Sequence, residues 1–262
     1  MTAFRLPAAL LLALAVAPVL GAPVLGAPAP RAADAPLGNE QQYDACMKLA
    51  KSNPRQGFAS ANAWSDKGGG AAAQHCAAVA LFEAGDYIEA ANRLQHLAED
   101  GLIVRQDLRA ALYAQAGQAW LRGSLIDQAV RAQTNALLLA PDNVEYLIDR
   151  SVTYAGVGRL DEAIRDLDKA LKVQPRKYEA LTLRATAYRL QAKTVQAAND
   201  IDQAIKLAPD YPEAYLERGI QRKMRGDKGA REDFIKVLRL VGKDSDLAAQ
   251  ASKELQSADM KK

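Results

Sequence analysis

The sequence predicts an all-α fold, an α-solenoid of stacked antiparallel helix pairs closed by a C-terminal capping helix. Three sets of residues predict it. Pro141, Pro175 and Pro209 fall 34 residues apart. Alanines repeat with that same period in two registers, at Ala129, Ala163 and Ala197 and at Ala136, Ala170 and Ala204. An aromatic residue holds a further register at Trp120, Tyr154 and Tyr188. A fixed period of this length marks a repeat architecture, in which one unit cannot bury its own apolar face and stacking supplies the core.

Each unit divides at a turn. In 144–177 the turn is Gly158-Arg159-Leu160; Leu147, Tyr154 and Val157 line a helix before it, and Ala163, Leu167, Ala170 and Leu171 line one after it. Pro175 cannot continue that second helix and opens the next connection. Ala163 is small enough to let the two axes approach, and Tyr154 fills the space above it.

In chain order, 1–26 reads as a secretory signal, with Arg5 ahead of the apolar run Leu6–Leu20 and a mature start near Ala22 or Ala27. An uncleaved anchor is the alternative. Pro18, Gly21, Pro23 and Gly26 interrupt the run before the ~20 residues that a span needs. The Pro- and Ala-rich stretch 27–38 predicts a disordered leader. Residues 39–70 predict a degenerate opening pair: a helix carrying Tyr43, Cys46, Met47 and Ala50, then one started by Pro54 and ended by Gly68-Gly69-Gly70. The array spans 71–244, as units 71–104, 110–143, 144–177, 178–211 and 212–244, with an insertion at Gly101–Asp107. The last unit is one residue short before Asp233-Phe234. Residues 245–262 predict a capping helix and tail, with Ser245 or Asp246 as the cap.

Composition narrows function by exclusion. The chain has 262 residues, 49% hydrophobic and only 6% aromatic, which suits closely packed helices. A net charge of +3 gives no broad field directed at nucleic acid. The sequence lacks a P-loop, a G-x-S-x-G elbow and an H-E-x-x-H motif. Two His and two Cys are a poor stock for catalysis. No catalytic residue, metal ligand or cofactor is assigned.

The pattern resembles the tetratricopeptide repeat (TPR) family, whose unit reads W-x2-L-G-x2-Y and then A, F, A and P. Gly117, Trp120, Ala129, Ala136 and Pro141 match it in one unit, and Tyr154, Gly158, Ala163, Ala170 and Pro175 in the next. Tyr188, Ala197, Ala204 and Pro209 follow, and a fourth unit keeps Tyr215 and Gly219. The resemblance covers about 71–241 and implies a superhelix whose first helices line a concave, partner-holding face. The context of Tyr43, Cys46, His75 and Cys76 is similar to exported bacterial members.

Three expectations follow from the resemblance. The family's groove positions fall on Gln118, Arg122, Glu145, Ile148, Glu179, Thr186, Arg189, Glu213, Ile220 and Lys223. Position 7, usually Leu, is Arg150, Arg184 and Arg218; position 23, usually aromatic, is Asp166, Asp200 and Asp233. Both lie about 12 Å from the turn on antiparallel helices, so they pair across the stack or else snorkel separately to solvent. Cys46 and Cys76 lie on neighbouring first helices, which suits a disulfide in an exported chain. Two buried thiols are the alternative, and a metal site with His75 and His96 fits no zinc spacing.

The expected function is a non-catalytic protein–protein interaction scaffold, periplasmic or secreted. It would bind a peptide or a partner protein, not nucleic acid, with no stable membrane insertion after signal cleavage. An envelope-assembly factor falls in the same class, and oligomeric state stays open. The alternative from another class is a thiol- or metal-dependent enzyme using Cys46 and Cys76.

Overall fold

A computed structural model of the chain describes residues 40–101, 103–242 and 244–259. The signal and leader, 1–26 and 27–38, lie outside the described residues, as does the end of the tail. The described residues form helices joined by turns and short loops, so the all-α solenoid class holds. They divide into two compact units, one ending at Thr153 and one starting at Tyr154.

The N-terminal unit holds α1 (Glu40–Ser52), α2 (Pro54–Ser65), α3 (Gly70–Ala84), α4 (Tyr87–Glu99), α5 (Gln106–Arg122) and α6 (Ile126–Leu139). It also takes most of α7 (Val144–Gly156). The Asn53 side chain accepts from the Gln56 amide and starts α2, with Pro54 in the first turn, where its missing N–H costs nothing. Helix α2 ends at Ser65, before the three glycines, and Gly70 opens α3 instead of closing α2. Helix α3 packs against α1, α2 and α4. Nine of its 15 residues are buried, which is why it is apolar around most of its circumference. Tyr43, Cys46, Ala50, Ala61 and Trp64 close over its alanines. The expected insertion is shorter as a loop, because Gln106 and Asp107 already belong to α5.

The C-terminal unit holds the end of α7, then α8 (Leu160–Val173), α9 (Tyr178–Leu190), α10 (Thr194–Leu207), α11 (Pro212–Met224), α12 (Ala230–Leu240) and α13 (Asp246–Asp259). Leu167, Leu181, Ile201, Phe234 and Val237 are almost wholly buried. Ala163, Ala170, Ala197 and Ala204 are also buried. At Gly219 a β-carbon would lie 2.6 Å from the Phe234 ring, so the bulk of Phe234 is accommodated by the missing side chain opposite. Ser245 Oγ accepts from the Ala248 amide and caps α13, which runs to Asp259. Leu247 and Ala251 of α13 join Leu216, Phe234 and Val237 in one cluster, so α13 supplies the apolar face that α12 would otherwise expose. Val157 does not line the core; it follows the end of α7 and is 44% exposed.

The turns between paired helices share one backbone feature. Gly158 and Gly226 have φ of 77° and 73°, and Ala192 and Ser124, in the same 34-residue register, have φ of 58° and 61°. The left-handed region costs a residue with a β-carbon about 1–2 kcal/mol, and glycine nothing. Ala192→Gly relieves that strain but adds freedom to the unfolded chain, which offsets about half of the gain. We expect it to raise stability by about 0.5 kcal/mol and Gly158→Ala to lower it by about 1 kcal/mol, both measured by urea unfolding.

Candidate functional site

The first helices of the repeats carry polar side chains that reach the next first helix. In the N-terminal unit, Gln118 of α5 donates its amide to Asp149 Oδ2 of α7 at 3.1 Å. Burial pushes the Asp149 carboxyl up to about 6; the Gln118 hydrogen bond opposes that rise and the Glu145 charge adds to it. Beside it, Gln133 of α6 donates to Thr153 Oγ1 at 2.9 Å and to the Asp149 carbonyl at 3.3 Å.

In the C-terminal unit the equivalent bridge is ionic. Glu217 of α11 is buried and accepts from Arg189 Nε at 2.7 Å, Arg189 Nη2 at 3.1 Å and Thr186 Oγ1 at 3.0 Å. Gln221 Nε2 adds a further donor at 3.0 Å. Lys223 reaches Glu254 and Ser257 of α13. At the other end of α9 and α11, Tyr178 and Tyr211 meet edge to face with ring centres 4.8 Å apart. Glu179 and Glu213 stand beside them, and burial, with the Glu179 charge as a second cause, raises the Glu213 carboxyl.

Between first and second helices runs a set of arginine–aspartate pairs. Arg184 holds Asp200 with two hydrogen bonds, at 2.7 and 2.8 Å, and reaches back to Asp168 of α8 at 2.6 Å. Arg218 holds Asp233 at 2.6 and 3.0 Å, and Arg222 adds a bond at 2.8 Å. Hydrogen bonding to Asp200 holds the Arg184 guanidinium more firmly protonated than usual, against the effect of its own burial. Arg150 donates to Thr134 of α6 at 3.0 Å. Arg150 and Asp166 fall one in each unit.

The cysteines meet in the N-terminal unit. Cys46 of α1 and Cys76 of α3 are joined Sγ to Sγ, with Cα atoms 6.2 Å apart. Next to them, Tyr43 Oη donates to His75 Nδ1 at 2.7 Å, and His75 Nε2 donates to Gln115 Oε1 at 2.8 Å. Burial holds the His75 ring below its ordinary pKa, so it stays neutral and can accept and donate at once. Among the described residues no group of three His, Cys, Asp or Glu is placed to hold a metal ion.

Neither a family profile nor a curated protein matches the sequence. Solved structures do match. A tetratricopeptide repeat protein from Parabacteroides merdae superposes with a TM-score of 0.56 at 19% identity, over 84% of this chain and 76% of that one. A thermophilic TPR protein of Thermus thermophilus superposes at 0.56 and 20% identity, over 68% of this chain and 95% of that one. An RS-1 MamA variant gives 0.56 and 20% identity, over 65% and 93%. The fold is the tetratricopeptide repeat.

Within the TPR fold, the ten expected groove residues do not form one set. Arg122 and Glu145 are exposed, and Ile148, Glu213 and Ile220 are part-exposed. Gln118, Thr186, Arg189 and Lys223 are instead engaged in helix-to-helix bridges, because each has a polar side chain of the following TPR helix within reach. Glu179 lies beside Glu213, 3.8 Å from Lys177. Asp149, Glu217 and Asp168 were not anticipated. The signal was present for two of them: Asp149 and Glu217 both follow the helix start by five residues, each directly after three apolar residues and before an arginine.

Two measurements test this interior chemistry. A carboxyl raised by folding binds its proton more tightly in the native state, so it favours folding at low pH, and that stability is lost as pH rises from about 4 through about 6. Asp149→Asn keeps the acceptor for Gln118 and removes the charge. It should stabilise the protein by ~1–3 kcal/mol at pH 7, with the gain vanishing near pH 4 in unfolding curves. Arg184→Ala and Asp200→Ala should each cost roughly 2–4 kcal/mol, since each leaves the other charge part-buried. The double variant should cost at least ~1 kcal/mol less than their sum, and additive losses would show the charges independent.

Proposed function

We propose that this protein is a non-catalytic interaction scaffold of the bacterial cell envelope, which binds a peptide or a partner protein on its first helices. The observation that supports it most is a division of labour along those helices. Gln118, Arg189 and Lys223 bridge helix to helix and hold the backbone, while Arg122 and Glu145 are exposed at groove positions and Ile148, Glu213 and Ile220 are half-buried beside them. A rigid framework presenting exposed side chains suits recognition, because little order remains to be imposed on binding. The repeat fold of the neighbours agrees with that class of role. No helix among the described residues is long and apolar enough to cross a membrane. Two cysteines joined to each other, at 4% and 0% exposure, agree with an oxidising compartment and leave no thiol for the enzyme alternative.

Partner capture from the native envelope, followed by titration of purified variants, tests the proposal. Arg122→Ala with Glu145→Ala, and Glu213→Ala with Ile220→Ala, should each weaken binding by more than ~1 kcal/mol. Lys172→Ala and Lys206→Ala, on second helices, should leave it unchanged. Binding lost only through the second helices would reject the surface. A substrate turned over by the parent and not by Cys46→Ser would reject the scaffold.

A further inference from the structure

The large apolar side chains exposed in the C-terminal unit are not scattered. Among its described residues they are Val157 at 44%, Val173 at 44%, Val195 at 69% and Met224 at 63%. Three of the four lie within three residues of the left-handed turn positions Gly158, Ala192 and Gly226. Those turns recur at the repeat period, which puts them along one edge of the unit. The Gln191 amide of the second turn donates to Asp161 of the first at 2.8 Å and ties them side by side.

The same edge is cationic. Arg159, Lys193, Arg225 and Lys228 are all exposed there. Its three acids are engaged locally: Asp161 accepts from Gln191, Glu162 pairs with Arg159 at 2.9 Å, and Asp227 accepts from the Gly229 amide and faces Arg222 at 3.7 Å. Lys193 lies over the Tyr188 ring, and neither it nor Arg225 or Lys228 has an ion-pair partner among the described residues. With Arg222, five cations stand against three acids there, and the surplus sits on Lys193, Arg225 and Lys228.

Short apolar side chains at protruding turns, flanked by long cationic stems, carry the chemistry of an interfacial segment. The apolar tips enter the acyl boundary while the ammonium and guanidinium heads reach lipid phosphates. We infer that the turn edge holding Val157, Val195 and Met224 with Lys193, Arg225 and Lys228 docks on an anionic lipid surface. The contact is peripheral. It uses none of the groove residues named above, so it is independent of the binding role proposed there.

Vesicle sedimentation tests the inference with the exported protein, every variant being purified in the same way. The parent should bind phosphatidylglycerol vesicles, bind phosphatidylcholine vesicles far less, and detach as salt rises. Each cation removed should lower the partition about fivefold, so Lys193→Glu with Lys228→Glu should lower it at least ~25-fold. Lys172→Glu with Lys206→Glu makes the same change in net charge away from the edge and should retain binding. Val195→Ser with Met224→Ser keeps every charge and should also weaken binding, a second route should the charge variant fail to fold by circular dichroism. Absence of binding to anionic vesicles overturns the inference. So does equal binding to both lipids, or equal loss in the edge and control variants. If the edge variants lose a captured protein partner while lipid binding is unaffected, the edge is a protein surface and the lipid assignment fails.

Discussion

Everything in this chain depends on how closely paired helices approach. The alanines at the repeat period are essentially without exposure, and Gly219 leaves out a side chain where Phe234 enters. Small residues at the crossing bring leucine, isoleucine and aromatic side chains of neighbouring helices into contact, and dispersion gains fall away steeply with even small gaps. Enlarging one of these alanines would push two helices apart and loosen the contacts on either side. The units are therefore sensitive at their smallest residues rather than at their largest.

Close approach also brings polar groups into the interior, and the chain meets that cost with bridges. Glu217 is buried with four donor contacts from Arg189, Thr186 and Gln221. Asp149 accepts from the Gln118 side chain, which offsets only part of the rise that burial imposes on its carboxyl. The contrast separates two uses of an interior carboxylate. A fully satisfied one specifies how one helix sits on the next; a partly satisfied one weakens the fold as it ionises.

The period and the register of Arg184, Arg218, Asp200 and Asp233 were legible in the sequence because they repeat, and the capping helix because Ser245 marks its start. Contacts reaching back into the preceding unit were not. Arg184 holds Asp168 and Arg150 holds Thr134 across 16 residues, and those partners differ from repeat to repeat. The groove was read from a family template, which says where a residue sits and nothing of what stands opposite. Arg189 and Lys223 occupy groove positions, yet acidic residues 28 and 31 places later engage them. The turn backbone is a third case: Ala192 and Ser124 adopt a conformation that sequence assigns to glycine, because the helices on both sides leave the chain no other path.

The link between Cys46 and Cys76 makes a ring of the chain, and all of α2 lies inside it. A protease that cuts the exposed Asp66–Gly68 turn would open the backbone without releasing α1, since the two pieces stay joined through sulfur. When the opening helices melt locally, α1 remains tethered near its own seat, at an effective concentration of about millimolar. It meets the Ala-rich face of α3 again before a foreign chain can. An opening helix that frays is thus quick to return, and the apolar face beneath it is shielded from aggregation by connectivity rather than by stability alone.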